Sequence, residues 1–263
     1  MKYNKNVSGI AATGRRMSAI PSTKEVPHYA VCARCRIAEL CQPVRLGLDA
    51  RAALERVIRR RRTLKRGEYL FRTGDPYHAV SALCSGSAKS SVTRDDGSVQ
   101  VLSFHFAGEL VGLCGLGAQQ HLCDAVALET SDVCEIPLGR LFEVVEQSPA
   151  VRQFMYRLFG EELEHQHQLM QPLVGRTAAA ERLAAYLLSL VQRYESRGLP
   201  AREIYLSMSR HDIGNYLGLA KETVSRLFSR FEDDGLISVR ARRLRVNDVA
   251  RLTALADSSH PNA

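Results

Sequence analysis

The feature that most constrains the fold is the segment over 207–246, which reads SMSRHDIGNYLGLAKETVSRLFSRFEDDGLISVRARRLRV. Ser209 and Asp212 have the spacing of a capping box, with Asp in place of the usual Glu, and predict the start of a helix. Gly218 provides a tight turn into a second helix, which Gly235 ends. Two short helices joined at a glycine turn are the helix-turn-helix pattern. The apolar residues that we expect to face inward are Ile213, Tyr216, Leu217, Val224, Leu227, Phe228 and Phe231.

The second predicted helix carries three polar residues, Glu222, Ser225 and Arg226, whose spacing places them on the face opposite its apolar residues. They lie near the N-terminal end of the helix, which is the part that enters a DNA major groove. Arg donates two hydrogen bonds to guanine, Glu accepts one from cytosine, and Ser bonds either way. The alternative interpretation is an exposed salt bridge between Glu222 and Arg226, worth roughly 0.2–0.5 kcal/mol.

The stretch VRARRLRV near the end of this segment predicts a wing beside the two helices. We expect its cations to contact phosphates, which position a protein on DNA without reading sequence. The formal net charge of +8 suits a nucleic-acid partner but does not demand one. Ala220 stands where the second helix should be capped, and Ala is a poor cap. The basic residues of the wing are Arg240, Arg242, Arg243 and Arg245.

Between 67 and 138 the sequence changes to short apolar stretches separated by glycines. Asp96-Gly97 lies between two alternating stretches and predicts a β-hairpin. Several short strands at close spacing predict a small antiparallel barrel or roll. Upstream of it, the residues from Leu48 to Arg62 predict a short helix ending in four arginines, which we interpret as a solvated helix end rather than a DNA patch.

A helical pattern over 141–173 places its residues at alternating steps of four and three, which is a heptad seam. Such a seam is typical of a helix that pairs with a partner helix, and packing against the chain's own roll is the alternative that spacing leaves open. Gln166 interrupts the apolar seam and would lower the stability of the pair. We predict that Pro172 and Gly175 end this helix and that Thr177 opens the next. The seam residues are Arg152, Tyr156, Phe159, Leu163, Gln166, Met170 and Leu173.

The length of 263 residues suits two modest domains of an α+β protein. We expect a flexible tail over 1–30, a sensor domain over 31–174, and a winged helix-turn-helix domain over 175–263. No run approaches the roughly 18 apolar residues of a membrane span, and the N-terminus lacks the apolar core of a secretory signal, so we expect a cytoplasmic location. No nucleotide loop, catalytic triad or framed carboxylate pair indicates an enzyme.

Three of the seven cysteines, Cys32, Cys35 and Cys41, lie within ten residues of one another. In a reducing compartment, clustered cysteines are more often metal ligands or redox groups than disulfides. A structural zinc site usually uses a second close pair, and a thioredoxin-type pair needs a βαβ setting. An iron–sulfur cluster accepts three clustered thiolates and one remote thiolate, which fits this spacing best. Spacing does not choose the fourth ligand among Cys84, Cys114, Cys123 and Cys134.

Nearly from end to end, the chain resembles the CRP/FNR family of transcription regulators. The likeness rests on the cysteine loop, on GEYLFRTGD, FHFAGELVG, ALETSDVCEIP and AERLAAYL, and above all on DIGNYLGLAKETVSRLFSRF. It implies an N-terminal β-roll like that of cyclic-nucleotide-binding domains, a long dimerisation helix and a C-terminal winged helix-turn-helix. The pattern ETVSR is that of the FNR branch, whereas the cyclic-AMP branch has Gly where Ser225 stands. One departure is Lys221, which replaces a more usual neutral residue and adds a cation for a phosphate or base contact.

The resemblance implies an oxygen-responsive regulator of anaerobic and microaerobic genes, acting as activator or repressor. The family's remote ligand stands in the VCEIP segment, so the implied [4Fe–4S] ligands are Cys32, Cys35, Cys41 and Cys134. Cluster binding would promote a homodimer that reads a TTGAT-N4-ATCAA-like palindrome, and oxygen would degrade the cluster and abolish binding. RNA polymerase is an expected partner. The alternative is a regulator of the same fold with structural zinc or a thiol-based redox or nitric oxide sensor.

The resemblance also bears on cyclic nucleotides, which we do not expect as ligands. That branch needs an Arg to take the phosphate, and no Arg occurs between Gly108 and Val133. Glu109 remains, but a carboxylate does not bind a phosphate. The implied ligand set leaves Cys84, Cys114 and Cys123 to core packing by default, with Cys114 and Cys123 as the alternative cluster ligands.

Overall fold

The computed structural model describes residues 57, 60–174, 178–195, 201 and 203–257. Strands come first: β1 (Arg60–Leu64), β2 (Tyr69–Phe71), β3 (Ala79–Ser85), β4 (Ser87–Thr93), β5 (Val99–Phe106), β6 (Leu110–Val111), β7 (Asp124–Ala127) and β8 (Ser131–Pro137). Three helices follow: α1 (Leu138–Gln147), α2 (Pro149–Val174) and α3 (Ala179–Glu195). The last elements are β9 (Ile204–Tyr205), α4 (Arg210–Leu217), α5 (Lys221–Asp233), β10 (Ile237–Arg240), β11 (Arg243–Val246) and α6 (Val249–Ala256).

The first eight strands form two antiparallel sheets with the orders β1-β8-β3-β6 and β2-β7-β4-β5. Apolar side chains from both sheets, among them Leu83, Val111 and Ala125, are fully buried in one cluster between them. The predicted hairpin joins β4 to β5, where Gly97 has φ +80° and the Asp96 carboxylate accepts a 2.8 Å hydrogen bond from the Ser98 amide. The predicted β-roll is therefore confirmed, and it begins at Arg60 rather than at 67.

The predicted helix from Leu48 to Arg62 is wrong over its last residues, which belong to strand β1. Strand β1 pairs antiparallel with β8, so that Arg62 lies opposite Val133. Arg62 donates a 2.7 Å hydrogen bond to the Leu70 carbonyl and forms a 3.4 Å ion pair with Glu135. Pairing with a strand some seventy residues away outweighs the local helical preference of this segment. Apart from Val57, the part of that prediction before Arg60 lies outside the described residues.

Helices α1 and α2 cover the outer face of the β1-β8-β3-β6 sheet. Leu141 of α1 and Val151, Phe154 and Met155 of α2 share a buried cluster with residues of β3 and β8. The continuous helix predicted over 141–173 is broken at Ser148, because Pro149 begins a new helix and proline suits a first helical position. Helix α2 ends at Val174, between the two residues predicted to stop it.

The C-terminal elements pack around α3, which matches the helix predicted to open near Thr177. Leu183, Leu187 and Leu190 of α3 are fully buried in a cluster with residues of α4, α5, α6 and the β10-β11-β9 sheet. Phe104 of the roll belongs to the same cluster, so the roll and the C-terminal domain share a core. None of the helices among the described residues is long and apolar enough to cross a membrane.

Candidate DNA interface and cysteine site

The helix-turn-helix is fixed by local hydrogen bonds and by one close backbone approach. The Ser209 hydroxyl accepts a 3.1 Å bond from the Asp212 amide, and the Asp212 carboxylate accepts a 3.0 Å bond from the Ser209 amide, which confirms the capping box. Gly218 has φ +64°, a left-handed conformation that turns the chain toward α5. A Cβ at Gly214 would lie 2.6 Å from the Leu219 carbonyl oxygen, so only glycine fits there.

The predicted base-reading residues all lie on the exposed face of α5. Lys221, Glu222, Ser225 and Arg226 are exposed, whereas the opposite face is buried through Val224, Phe228 and Phe231. Within the part of the chain that the structure describes, the ion pair on α5 joins Arg230 to Asp234 at the far end of the helix. The arrangement leaves Glu222 and Arg226 facing solvent together, which is what groove contacts require.

The wing is a two-residue hairpin between β10 and β11. Ala241 and Arg242 at its tip have φ of +46° and +68°, the left-handed pair of a tight hairpin turn. Along β11, Leu244 is fully buried, and its neighbours Arg243 and Arg245 are exposed. Arg243 also forms a 3.5 Å exposed ion pair with Glu203. The structure thus places Arg243 and Arg245, two of the four predicted phosphate contacts, on one solvent-facing edge.

Cys134 is buried at the base of helix α2. It lies on β8, is 6% exposed, and shares an apolar cluster with Ile136 of the sheet and Phe154 and Met155 of α2. Its Sγ atom is 2.9 Å from that of Cys84 on β3. A soft thiolate in apolar surroundings suits an iron–sulfur centre, so the donor chemistry at this position fits the implied cluster.

The other three implied ligands, Cys32, Cys35 and Cys41, lie outside the described residues. Within the described ranges, no three His, Cys, Asp or Glu side chains come together as a metal site. A cluster held by Cys134 would therefore depend on the N-terminal cysteines for its remaining ligands. Val57, the first described residue, is 3% exposed and packs in the same apolar cluster as Cys134.

The remaining cysteines form a second thiol contact, between Cys114 and Cys123, with the sulfur atoms 3.8 Å apart. Cys84 and Cys123 are buried, as expected for core packing. The same prediction is wrong for Cys114, which lies in a short 3-10 helix over Leu113–Gly115, is exposed, and lines a cavity. The hydrogen bond with Cys114, together with burial, raises the pKa of Cys123 far above its ordinary value.

That cavity, of about 840 Å³, lies where the roll, α2 and the helix-turn-helix meet. Its lining includes Ser90 and His105, joined by a 2.6 Å hydrogen bond, and Phe159 of α2. Glu109 is engaged elsewhere: Arg193 of α3 binds its carboxylate at 2.7 and 2.8 Å, and both side chains are nearly buried. Sequence reasoning missed this ion pair, because its partners are 84 residues apart.

Further polar contacts join the roll to the helix-turn-helix. Lys89 of β4 contacts the Asp212 carboxylate, and the Asn215 side chain accepts a 2.6 Å bond from the Val101 amide. The Ser87 and Ser207 hydroxyls are 2.6 Å apart. Burial alone would raise the pKa of Asp212, but hydrogen bonds from Lys89 and Ser209 outweigh it and hold that pKa below its ordinary value.

Part of the predicted seam is exposed on α2. Arg152 is exposed, Tyr156 and Leu163 are 68% and 62% exposed, and Phe159 is half-buried. The opposite face packs on the roll through Val151, Phe154 and Met155, and Phe159 packs against the same cluster, so only Arg152, Tyr156 and Leu163 among the described seam residues are exposed. Helix α2 continues through the rest of the seam, but the side chains of Gln166, Met170 and Leu173 are outside the described ones.

Comparisons with known proteins agree with this architecture. Residues 61–148 match the cyclic nucleotide-binding domain family, and residues 181–255 match the Crp-like helix-turn-helix domain family. A roll of this domain family, joined through a long helix to a winged helix-turn-helix, defines a DNA-binding transcription regulator.

Individual proteins similar to this chain show which group of transcription regulators it resembles. The transcriptional activator protein anr of Pseudomonas aeruginosa is 44% identical over 225 residues, which cover 86% of this chain and 92% of that protein. The anaerobic regulatory protein of Haemophilus influenzae is 39% identical over 87% of this chain and 88% of its own length. The structure of FixK2 from Bradyrhizobium japonicum matches with a TM-score of 0.68 at 29% identity, covering 74% of this chain and 96% of that chain.

The chain therefore belongs to the CRP/FNR family of transcription regulators. The fold predicted from the sequence is confirmed by these matches. Its relatives are regulators rather than enzymes, which agrees with the prediction that the chain has no catalytic function.

Proposed function

We propose that this protein is an oxygen-responsive regulator of anaerobic and microaerobic gene expression, with a [4Fe–4S] cluster bound by Cys32, Cys35, Cys41 and Cys134. The observation that carries the proposal is the position of Cys134, a buried thiol packed with the first turns of the helix that bears the exposed seam. The similarity to the anaerobic regulatory protein of Haemophilus influenzae supports the same physiological role. When bound, such a cluster supplies thiolate-ligated iron and sulfide that react with oxygen.

Helix α2 is the element through which the cysteine site would act. Its inner face contacts the cluster of side chains around Cys134 through Phe154 and Met155, and its outer face presents Tyr156 and Leu163 to solvent. Ordering the inner face favours one position of the helix, and a partner helix covers the outer face. A change of a few kcal/mol in the free energy of dimerisation is enough to convert a marginal dimer from mostly monomeric to mostly dimeric. Arg152, Phe159, Gln166 and Met170 complete the proposed dimer seam.

The homodimer would read an inverted repeat, because two recognition helices related by two-fold symmetry meet two half-sites about one helical turn apart. In each half-site, Glu222, Ser225 and Arg226 contact base edges of a TTGAT-like sequence. Lys221, Arg243 and Arg245 contact the flanking phosphates and hold the register. RNA polymerase is the proposed protein partner at the promoters so bound.

The direct test is iron and sulfide analysis of protein isolated without air, together with DNA binding to the palindrome before and after exposure to air. We expect a brown protein with bound iron and acid-labile sulfide, which loses its colour and at least about tenfold in DNA affinity in air. Cys134→Ala should lack iron and bind DNA weakly under both conditions. Cys123→Ala, which removes another buried thiol, should behave like the unmodified protein. A colourless, zinc-loaded protein that binds DNA equally well in air would contradict the proposal.

A further inference from the structure

Cys134 has a second thiol as its immediate neighbour. The Sγ atoms of Cys84 and Cys134 are 2.9 Å apart, and both residues are almost completely buried, at 5% and 6% exposure. A disulfide bond joins sulfur atoms at about 2.05 Å, so closure requires a movement of only about 0.9 Å. At 2.9 Å the two sulfur atoms are in contact but not covalently bonded to each other.

The strand geometry explains why two residues fifty positions apart come so close. Strands β3 and β8 are neighbours in the middle of one sheet, and Ala82 lies directly opposite Cys134. The register shifts between Leu83 and Ser85, so Cys84 stands in a bulge. A bulge increases the local twist of its strand and re-aims a side chain, and here it accompanies the approach of Cys84 to Cys134. The two thiols thus lie on rigid strands, and closure needs no rearrangement of the fold.

We propose that Cys84 and Cys134 form a reversible disulfide, which makes Cys84 an oxidative lock on Cys134. The inference about the lock rests on the proposed function of Cys134 as a cluster ligand, whereas the disulfide itself does not. While Cys134 binds iron, its sulfur is not available to Cys84. Once the iron is lost, a disulfide between the two residues prevents Cys134 from binding iron again until a reductant restores its thiol. Reassembly of the cluster then depends on the thiol redox state as well as on oxygen.

A peroxide is the oxidant that balances the reaction, and its small size suits a buried pair. One thiolate attacks a peroxide oxygen, the O–O bond breaks, and a sulfenic acid and the first water result. The second thiol attacks the sulfenic sulfur, the S–O bond breaks, and the disulfide forms as a second water leaves. Two thiols and one hydrogen peroxide thus give one disulfide and two waters. A dithiol reductant reverses the change by thiol–disulfide exchange and is itself oxidised to a disulfide.

The test uses the full-length protein, freed of iron by a chelator and fully reduced, then treated with hydrogen peroxide. Remaining thiols are alkylated, and the protein is cut after Lys, Arg and Glu without reduction. These cuts place Cys84 in the peptide 73–89 and Cys134 in 130–135, with Cys114 and Cys123 together in 110–129. Mass spectrometry should find the first two peptides joined, with a mass two hydrogens below their sum, and most of the alkylatable Cys134 lost. Dithiothreitol should restore it.

Two variants make the test specific. In Cys84→Ala, Cys134 should remain available for alkylation after peroxide treatment. If the small alanine side chain disturbs the core, Cys84→Ser replaces this variant and should give the same result. Cys123→Ala, matched in burial but part of the other thiol contact, should still yield the joined peptide. No joined peptide in the unmodified protein, or equal loss of Cys134 in both Cys84 variants, would overturn the disulfide.

The outcomes also separate this inference from the function on which it rests. If the protein contains iron and sulfide when isolated without air but gives no disulfide-linked peptides, the proposed function stands and the oxidative lock is wrong. If the linked peptides form but the protein never contains iron, the sensor role is wrong and the disulfide stands.

Discussion

At the scale of single residues, the proposed function gives different roles to exposed side chains of α5 and of the wing. It assigns Arg226 and Glu222 of α5 to base edges, and Arg243 and Arg245 of the wing to phosphates. Base contacts discriminate sequences, and phosphate contacts weaken binding uniformly when they are lost. Substitution of Arg226 therefore has a signature that differs from loss of a wing arginine.

Arg226→Met should weaken binding to the palindrome by about 1–3 kcal/mol per half-site and relax specificity at one base pair. Competition between the palindrome and single-base variants of it measures both effects. Arg230→Met, on the same helix but paired with Asp234 at the far end, should change the affinity little. If Arg226→Met weakened all sequences equally, Arg226 would be a phosphate contact instead.

At the scale of the element, helix α5 begins without a side-chain cap. Ala220 occupies the capping position with the extended backbone that a cap requires, φ −63° and ψ 144°, but its side chain accepts no hydrogen bond. The backbone amides at the start of a helix need such an acceptor or water. The start of the recognition helix thus depends on solvent, or on a bound phosphate, for these bonds.

Ala220→Thr should raise the free energy of unfolding by about 1 kcal/mol, because a threonine hydroxyl caps the helix at this position. Urea unfolding followed by circular dichroism measures the change. Ala220→Val has the same shape without the acceptor and should give no such gain. Equal stability of the two variants would show that the cap site is already satisfied in another way.

At the scale of the whole molecule, the roll and the C-terminal domain are joined by buried polar contacts. Glu109 follows β5 and Arg193 lies in the last turn of α3, and their ion pair is also fixed by the Phe106 amide, which donates a 2.9 Å bond to Glu109. Arg193 donates a further 2.7 Å bond to the Phe104 carbonyl. Removal of one partner from such a pair leaves an unpaired buried charge, which is more costly than the pair itself is stabilising.

Arg193→Met should lower the free energy of unfolding by about 3 kcal/mol, because Glu109 is left buried without its cation. Urea unfolding compares it with Arg66→Met, an exposed arginine whose loss should cost less than about 0.5 kcal/mol. Glu109→Gln combined with Arg193→Met should cost less than the sum of the two single substitutions. Additive costs would show that the two side chains do not stabilise each other.

The helix-turn-helix was predictable because its signals are local: a capping box, two glycines and two apolar stripes within thirty residues. The β4–β5 hairpin was predictable for the same reason, since Asp96-Gly97 defines its own turn. The strand β1 was mistaken for part of a helix, because its partner β8 lies far along the chain. The break at Ser148 was also missed, although Pro149 was a usable signal.

The cysteine site was likewise predictable only in part from the sequence. The spacing of the N-terminal cysteines suggested a metal site, but no spacing rule brings Cys84 to Cys134, because their contact depends on a bulge between paired strands. The helical character of α2 followed from periodicity, whereas the contacts of Lys89 and Arg193 across the domain boundary did not. Long-range partners follow from tertiary packing, which a single sequence does not display.

The glycine at position 214 has a consequence for how deeply the recognition helix can penetrate a groove. A methyl group there would push against the carbonyl oxygen of Leu219 and force the two helices apart. The angle between α4 and α5 thus depends on the lack of a side chain at this position. Even an alanine here would tilt α5 and move its exposed face away from the bases.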